Sequence, residues 1–132
     1  MRVMIDTNVI LDIWLAREPF WKDSAALLSK AEKKEIEGWI CPTTVTTLHY
    51  LGRKALGEQK TRDLLESLLK ICSVGRMSAK TFKTALSSEI KDFEDAVIEA
   101  VSLGCGIDFI ATRNIKDFKK SGVPAKEPSQ IR

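Results

Sequence analysis

At 132 residues, with 44% apolar and 30% charged side chains, the chain is sized for one domain (1–132) with a real hydrophobic core, and its composition excludes a disordered polymer. A net charge of +3 permits contact with nucleic acid without demanding it. No apolar run approaches the ~18 residues of a membrane span, and an Asp interrupts the first apolar run with no small-residue cleavage site after it, so neither a span nor a signal peptide is expected.

In chain order, "RVMI" (2–5) reads as a strand and "TNVILDIWLA" then begins a helix. "EPFWKDSAALLSKAEKKE" places Phe20, Ser24, Leu27, Leu28 and Ala31 on one helical face, with Pro19 suited to the first turn. "GWIC" (38–41) is a second strand. A helix follows from Pro42 and Thr43 and ends near Gly57. "TRDLLESLLK" (61–70) is amphipathic and helical, and "ICSV" (71–74) is a third strand closed by Gly75. Ser78 is a fitting N-cap for a helix over 78–87. The next helix spans 92–103 and stops at Gly104. "DFIAT" (108–112) is a fourth strand, and "VPAKEP" supplies a short last one. Strands alternating with helices predict an α/β domain with a mainly parallel sheet of four to five strands.

Cys41, Cys72 and Cys105 are odd in number, widely spaced and set among apolar residues, with no CxxC pair. They read as buried free thiols of a cytoplasmic protein, and a single His weakens any zinc site. Trp14, Trp21 and Trp39 read as core or interface anchors rather than base stackers.

The segment "KDFEDAVIEA" (91–100) gathers Asp92, Glu94, Asp95 and Glu99. Phe93, Ala96, Val97, Ala100 and Val101 recur at helical spacing as a buried stripe. Asp92, Asp95 and Glu99 form the stripe beside it, and Glu94 points elsewhere. Two readings stand: Asp92 and Asp95 cap the helix in a box-like pattern, or they hold a divalent metal. Strand topology bears on the choice, because parallel sheets collect ligands at the carboxyl ends of their strands. Asp6 follows the first strand; Thr112, Asn114 and Asp117 follow the fourth. Asp6, Asp92, Asp95 and Asp117 are thereby brought to one edge, where their mutual repulsion calls for Mg²⁺ or Mn²⁺. Asp6, Asn8, Thr112 and Asp117 each also have ordinary capping or turn readings.

Taken together, "MRVMIDTNVILDIW", "DFEDAVIEA" and "IATRNIKDF" resemble, in order and spacing, the PIN-domain family, and within it the VapC-like ribonuclease toxins of toxin–antitoxin pairs. The resemblance implies a three-layer α/β/α sandwich. It also implies a Mg²⁺- or Mn²⁺-dependent endoribonuclease with Asp6, Asp95 and Asp117 catalytic, Asp92 an added metal ligand, and Asn8, Thr112 and Asn114 supporting. A homodimer and a cognate antitoxin are implied as partners, RNA as substrate. Arg113, Lys116, Lys119 and Lys120 are candidates for the RNA backbone. The family usually carries a Glu in the helix after the second strand, and His49 is read in that place, facing inward or to the rim of the site with Val45, Leu48, Gly52 and Leu56. His49 is then a structural residue, a Mn²⁺ ligand or a proton shuttle. The alternative reading is a weak or inactive PIN-fold module that binds RNA or protein. A phosphotransfer enzyme using Asp6 ranks below both, because "DTN" has Asn8 where a phosphatase of the haloacid-dehalogenase type wants a second Asp.

Overall fold

Five short strands, β1 (Arg2–Ile5), β2 (Glu37–Ile40), β3 (Ser73–Val74), β4 (Phe109–Ala111) and β5 (Ala125–Lys126), pair in parallel in the order β3-β2-β1-β4-β5. The structure is a computed structural model and describes residues 1–132. Six helices make the crossovers: α1 (Thr7–Trp14), α2 (Trp21–Glu32), α3 (Pro42–Leu56), α4 (Glu58–Ile71), α5 (Ala79–Leu86) and α6 (Phe93–Gly104). Two 3₁₀ turns, Ile115–Phe118 and Pro128–Gln130, complete the chain.

Strand alternation sorts the core into two faces. Val3, Ile5, Ile40 and Ala111 point to one side, where they meet Ile10, Leu27, Leu48 and Leu68 from α1, α2, α3 and α4. Met4, Cys41 and Ile110 point to the other, against Ala85 of α5 and Ala96, Val97 and Val101 of α6. Each face holds 14 buried residues. With about 1.5–3 kcal/mol gained per large apolar side chain buried, neither helical layer is dispensable. The result is a three-layer α/β/α sandwich: the alternation of elements predicts its parallel sheet, and the family resemblance implies its three layers.

Several boundaries differ from the sequence reading for local reasons. Pro19 lies before α2, in a turn entered through a cis Glu18–Pro19 bond, and the helix starts at Trp21. The fourth helix begins at Glu58, directly after Gly57, whose φ of +87° breaks α3 from α4. Gly104 is the last residue of α6, and Gly106, with φ +65°, makes the turn away from it. Phe93 is 48% exposed and drops out of the buried stripe, although Ala96, Val97, Ala100 and Val101 keep it. After β3, Gly75 passes so close to α6 that a Cβ there would lie 2.4 Å from Val101 Cγ1. All three cysteines are buried and unpaired.

Because every strand is parallel, their carboxyl ends share one edge. The strand order reverses between β1 and β4, which makes the crevice after Ile5 and Ala111 the topological switch point.

Candidate functional site

Asp6 stands in that crevice. Its backbone N–H donates to the Ala111 carbonyl (3.0 Å) while its side chain caps α1, with Oδ1 accepting from the Thr7 N–H at 2.8 Å. Oδ2 accepts from the Thr112 hydroxyl at 2.8 Å, which ties β1 to β4 across the switch point. At 5% exposure the carboxylate is nearly dry, and both of its fixed partners are neutral. Burial raises its pKa, the two hydrogen bonds oppose the rise, and the charges of Glu94 and Asp117 add to it.

The acidic helix opens on the same edge. Asp92 is its N-cap, its Oδ1 accepting from the Asp95 N–H at 3.0 Å, so the capping reading holds for this residue. Asp95 itself is half-buried and aims into the crevice. Its pKa is pushed up to about 7, first by burial and then by Asp6, Asp92, Asp117 and Glu94. Capping and clustering are therefore not rivals, since Asp92 fixes the first turn from which Asp95 projects.

Glu94 is exposed and points away from the Asp92–Asp95 stripe, into a groove with Thr43, Thr47, Phe82 and Phe93. Its Oε1 accepts a long hydrogen bond (3.4 Å) from Thr47 Oγ1 on α3, and its charge is felt at Asp6, Asp95 and Cys41. Asp117 comes from the 3₁₀ turn, where its N–H donates to the Asn114 carbonyl (3.0 Å); Asn114 N–H in turn donates to Thr112 Oγ1 (3.0 Å). Thr112 thus serves Asp6 and the turn together. Asn8 sits half-buried in the first turn of α1, next to the cap.

Two predicted participants lie elsewhere. His49 does share the α3 face of Leu48 and Gly52, but that face turns towards α4: His49 Nε2 pairs with Glu58 Oε2 at 2.7 Å in a surface groove with Leu65 and Leu69. The α3 side chains that meet the acid-bearing helix are Thr43, Thr46 and Thr47. Arg113 is likewise taken out of the RNA-binding set. It grips Asp12 Oδ2 and Oδ1 (2.8 and 3.2 Å) and lies 4.4 Å over the Phe20 ring. Asp12, 1% exposed, was invisible as a partner because 101 residues separate the two. Glu99 is also structural, binding Ser88 Oγ (2.7 Å) and the Gly122 N–H (2.8 Å).

The remaining lysines converge. Lys116, Lys119 and Lys120, joined by Lys91, line a groove of about 350 Å³ with Glu89, Asp92 and Asp117. Lys91 was missed, although it directly precedes the acidic cap in "KDFED".

Oxygen-only donors of concentrated negative charge are the chemistry of a hard divalent cation. None of Asp6, Asp92, Glu94, Asp95 or Asp117 is paired with a Lys, Arg or His; the ion pairs use Asp12, Glu37, Glu58 and Glu66. In charge and donor type the set fits Mg²⁺ or Mn²⁺. It is not drawn together as a finished cage, for no three His, Cys, Asp or Glu side chains are grouped as a metal-holding set.

Comparison with known proteins identifies the fold and the family. The fold matches VapBC2 from Rickettsia felis, bound to a promoter DNA fragment (TM-score 0.72, 18% identity, 96% of this chain and 98% of that one). It matches a toxin–antitoxin complex from Klebsiella pneumoniae (TM-score 0.71, 24% identity, 98% and 99%). It also matches the sarcin–ricin loop cleaving toxin VapC20 of Mycobacterium tuberculosis (TM-score 0.70, 14% identity, 89% and 93%). No curated protein matches the sequence. The PIN domain family model, however, matches residues 2–116, from the first strand through Asp6 and the acidic helix into the turn that carries Asp117, and the chain therefore belongs to the PIN-domain family.

Proposed function

We propose that the protein is a Mg²⁺- or Mn²⁺-dependent endoribonuclease acting as the toxin of a toxin–antitoxin pair. The observation that carries the reading is the set of five unpaired carboxylates at the switch point, bordered by a lysine groove that shares Asp92 and Asp117 with it.

Asp6, Asp95 and Asp117 are the residues that would hold the cation, with Asp92 in support. When bound, the cation supplies Lewis-acid activation of water and neutralises charge developing on the scissile phosphate. The chain's own contributions are positional. The Thr7 N–H and Thr112 hydroxyl orient the Asp6 carboxylate. Asp92 holds the first turn of α6, and with it Asp95. Without a cation, the Asp95 pKa stands at about 7, and a cation held there would favour its charged form. Lys91, Lys116, Lys119 and Lys120 hold the RNA backbone so that its phosphates pass Asp92 and Asp117.

The structural neighbours support an antitoxin partner, since the Klebsiella pneumoniae protein is a toxin–antitoxin complex. A homodimer is consistent with Tyr50, Leu51 and Leu69, large side chains left exposed on α3 and α4. A cytoplasmic location goes with three unpaired thiols. No helix is long and apolar enough to cross a membrane.

The test is calorimetric titration of Mn²⁺ into wild type, Asp6→Asn, Asp95→Asn and, as control, Glu66→Gln on the distant α4. Saturable binding lost in both Asp variants and kept in the control supports the nuclease, and RNA cleavage is then sought over a panel of structured RNAs. The spread of the acids favours a second reading, a non-catalytic RNA-binding module. Lysine-dependent RNA binding without Mn²⁺ binding is the result that selects it.

A further inference from the structure

A second groove, of about 300 Å³, lies between α5, the start of α3 and the first turn of α6. Phe82 of α5 and Phe93 of α6 line it, 38% and 48% exposed, beside the buried Val97. Helical spacing assigns Phe93 to the apolar stripe of Ala96 and Val97, yet its ring stands out of the core. One exposed Phe on a surface is ordinary. Two in one groove, in a chain with only 7% aromatic residues, make an apolar slot that no other part of the fold covers.

The polar lining of the slot narrows what can fill it. Glu94 presents a carboxylate that forms no ion pair and takes only the long bond of 3.4 Å from Thr47 Oγ1. A carboxylate accepts and does not donate. The fitting ligand is flat, apolar on its faces and rich in donors along one edge. Unpaired nucleobases have such faces, which stack on aromatic rings. Among the four RNA bases, guanine alone carries two adjacent donors on its Watson–Crick edge, N1–H and the N2 amine, which one carboxylate accepts together.

Chain order argues for the same occupant. Lys91 and Asp92 belong to the lysine groove, and the next two residues, Phe93 and Glu94, belong to this one. The first turn of α6 is thus a ridge between a place for phosphates and a place for rings, and a nucleotide has both. An apolar protein face laid over the slot would bury the Glu94 carboxylate unanswered, a cost that a guanine edge avoids.

We propose that the groove between α3, α5 and α6 is a base-binding subsite for an unpaired guanine of the RNA, with Phe82 and Phe93 stacking on the base and Glu94 accepting from its N1–H and N2 amine. The inference rests on RNA binding, which the catalytic and non-catalytic readings above share, and it needs no metal.

The experiment is fluorescence anisotropy in EDTA, which prevents metal-dependent cleavage. The probes are fluorescein-labelled single-stranded oligouridines with a central guanine, adenine or uracil, and thermal melts of each variant confirm folding. Wild type is expected to bind the guanine probe about tenfold more tightly than the other two. Phe82→Ala and Phe93→Ala are each expected to weaken that binding about tenfold, and Phe93→Tyr, which keeps the ring, to leave it near wild type. Neither Ala variant should change the slope of log affinity against log salt, because a ring releases no counterions. Glu94→Gln is expected to bring the guanine and adenine probes to equal affinity and leave the uracil probe unchanged. Equal affinity of wild type for all three probes overturns the subsite. So does wild-type guanine binding by both Ala variants alongside its loss in Lys119→Glu with Lys120→Glu, a result that keeps the RNA reading intact. Unchanged RNA affinity in Phe93→Ala with a halved mass in sedimentation assigns the groove to a second copy of this chain and overturns the subsite as well. Failure of wild type to bind any probe at low salt overturns the RNA reading itself, and the subsite with it.

Discussion

Asp6 and Asp12 stand at opposite ends of one short helix segment, both almost wholly buried at 5% and 1% exposure. Asp12 has its charge answered: Arg113 grips it with two hydrogen bonds, and Arg17 approaches to 3.5 Å. Asp6 has only an N–H and a hydroxyl, and the charges around it are negative. Burial alone therefore does not separate scaffold from site. The distinguishing property is whether the fold supplies a counter-charge, and around Asp6 it supplies none. A carboxylate kept dry and unanswered costs stability, a cost consistent with a group reserved for a ligand.

Substitutions should break this contrast with opposite signs. Asp12→Ala leaves Arg113 without its partner inside the fold and is expected to cost about 3 kcal/mol, read by chemical denaturation, with no specific effect on Mn²⁺ affinity in protein that remains folded. Asp6→Asn should do the reverse, raising the melting temperature by about 2–4 °C without metal and abolishing the further rise that Mn²⁺ gives the wild type. A fall in stability for Asp6→Asn as large as that for Asp12→Ala would erase the distinction.

Acidity sharpens it next. Asp95 has a folded pKa of about 7, above its ordinary value of 3.8, so the folded state holds a proton that the unfolded chain has released. Stability without metal should then be highest below about pH 4 for this group and decline as pH rises towards 7. Melting curves across that range should show the slope in wild type and a flatter profile in Asp95→Asn, and saturating Mn²⁺ should remove it. Lys119→Glu with Lys120→Glu should weaken RNA binding and lower the slope of log affinity against log salt by about 2. The smallest effect is expected from His49→Ala, which loses a surface pair with Glu58 and should leave Mn²⁺ binding unchanged.

Much of this edge could be read in advance because its parts are local. Asp6 ends an apolar strand and caps the next helix, so position and role share one signature of six residues. The acidic helix declared its buried face by period, apart from Phe93 at its exposed start. What escaped were relations between distant segments. Helical phase placed His49 with Leu48 and Gly52, but only the position of α4 decides that this face looks away from the acids. Arg113 sits among lysines in "TRNIKDFKK" and resembles them in charge, yet its partner lies on α1.

Glu99 has a consequence of a different kind. One of its oxygens takes the Ser88 hydroxyl and the other the Gly122 N–H, so a single side chain spans from the loop before Lys91 to the loop after Lys120. Those loops are the two banks of the lysine groove. One glutamate thus braces both loops from beneath, and shortening it by a methylene in Glu99→Asp would shift the spacing of the lysines without touching one.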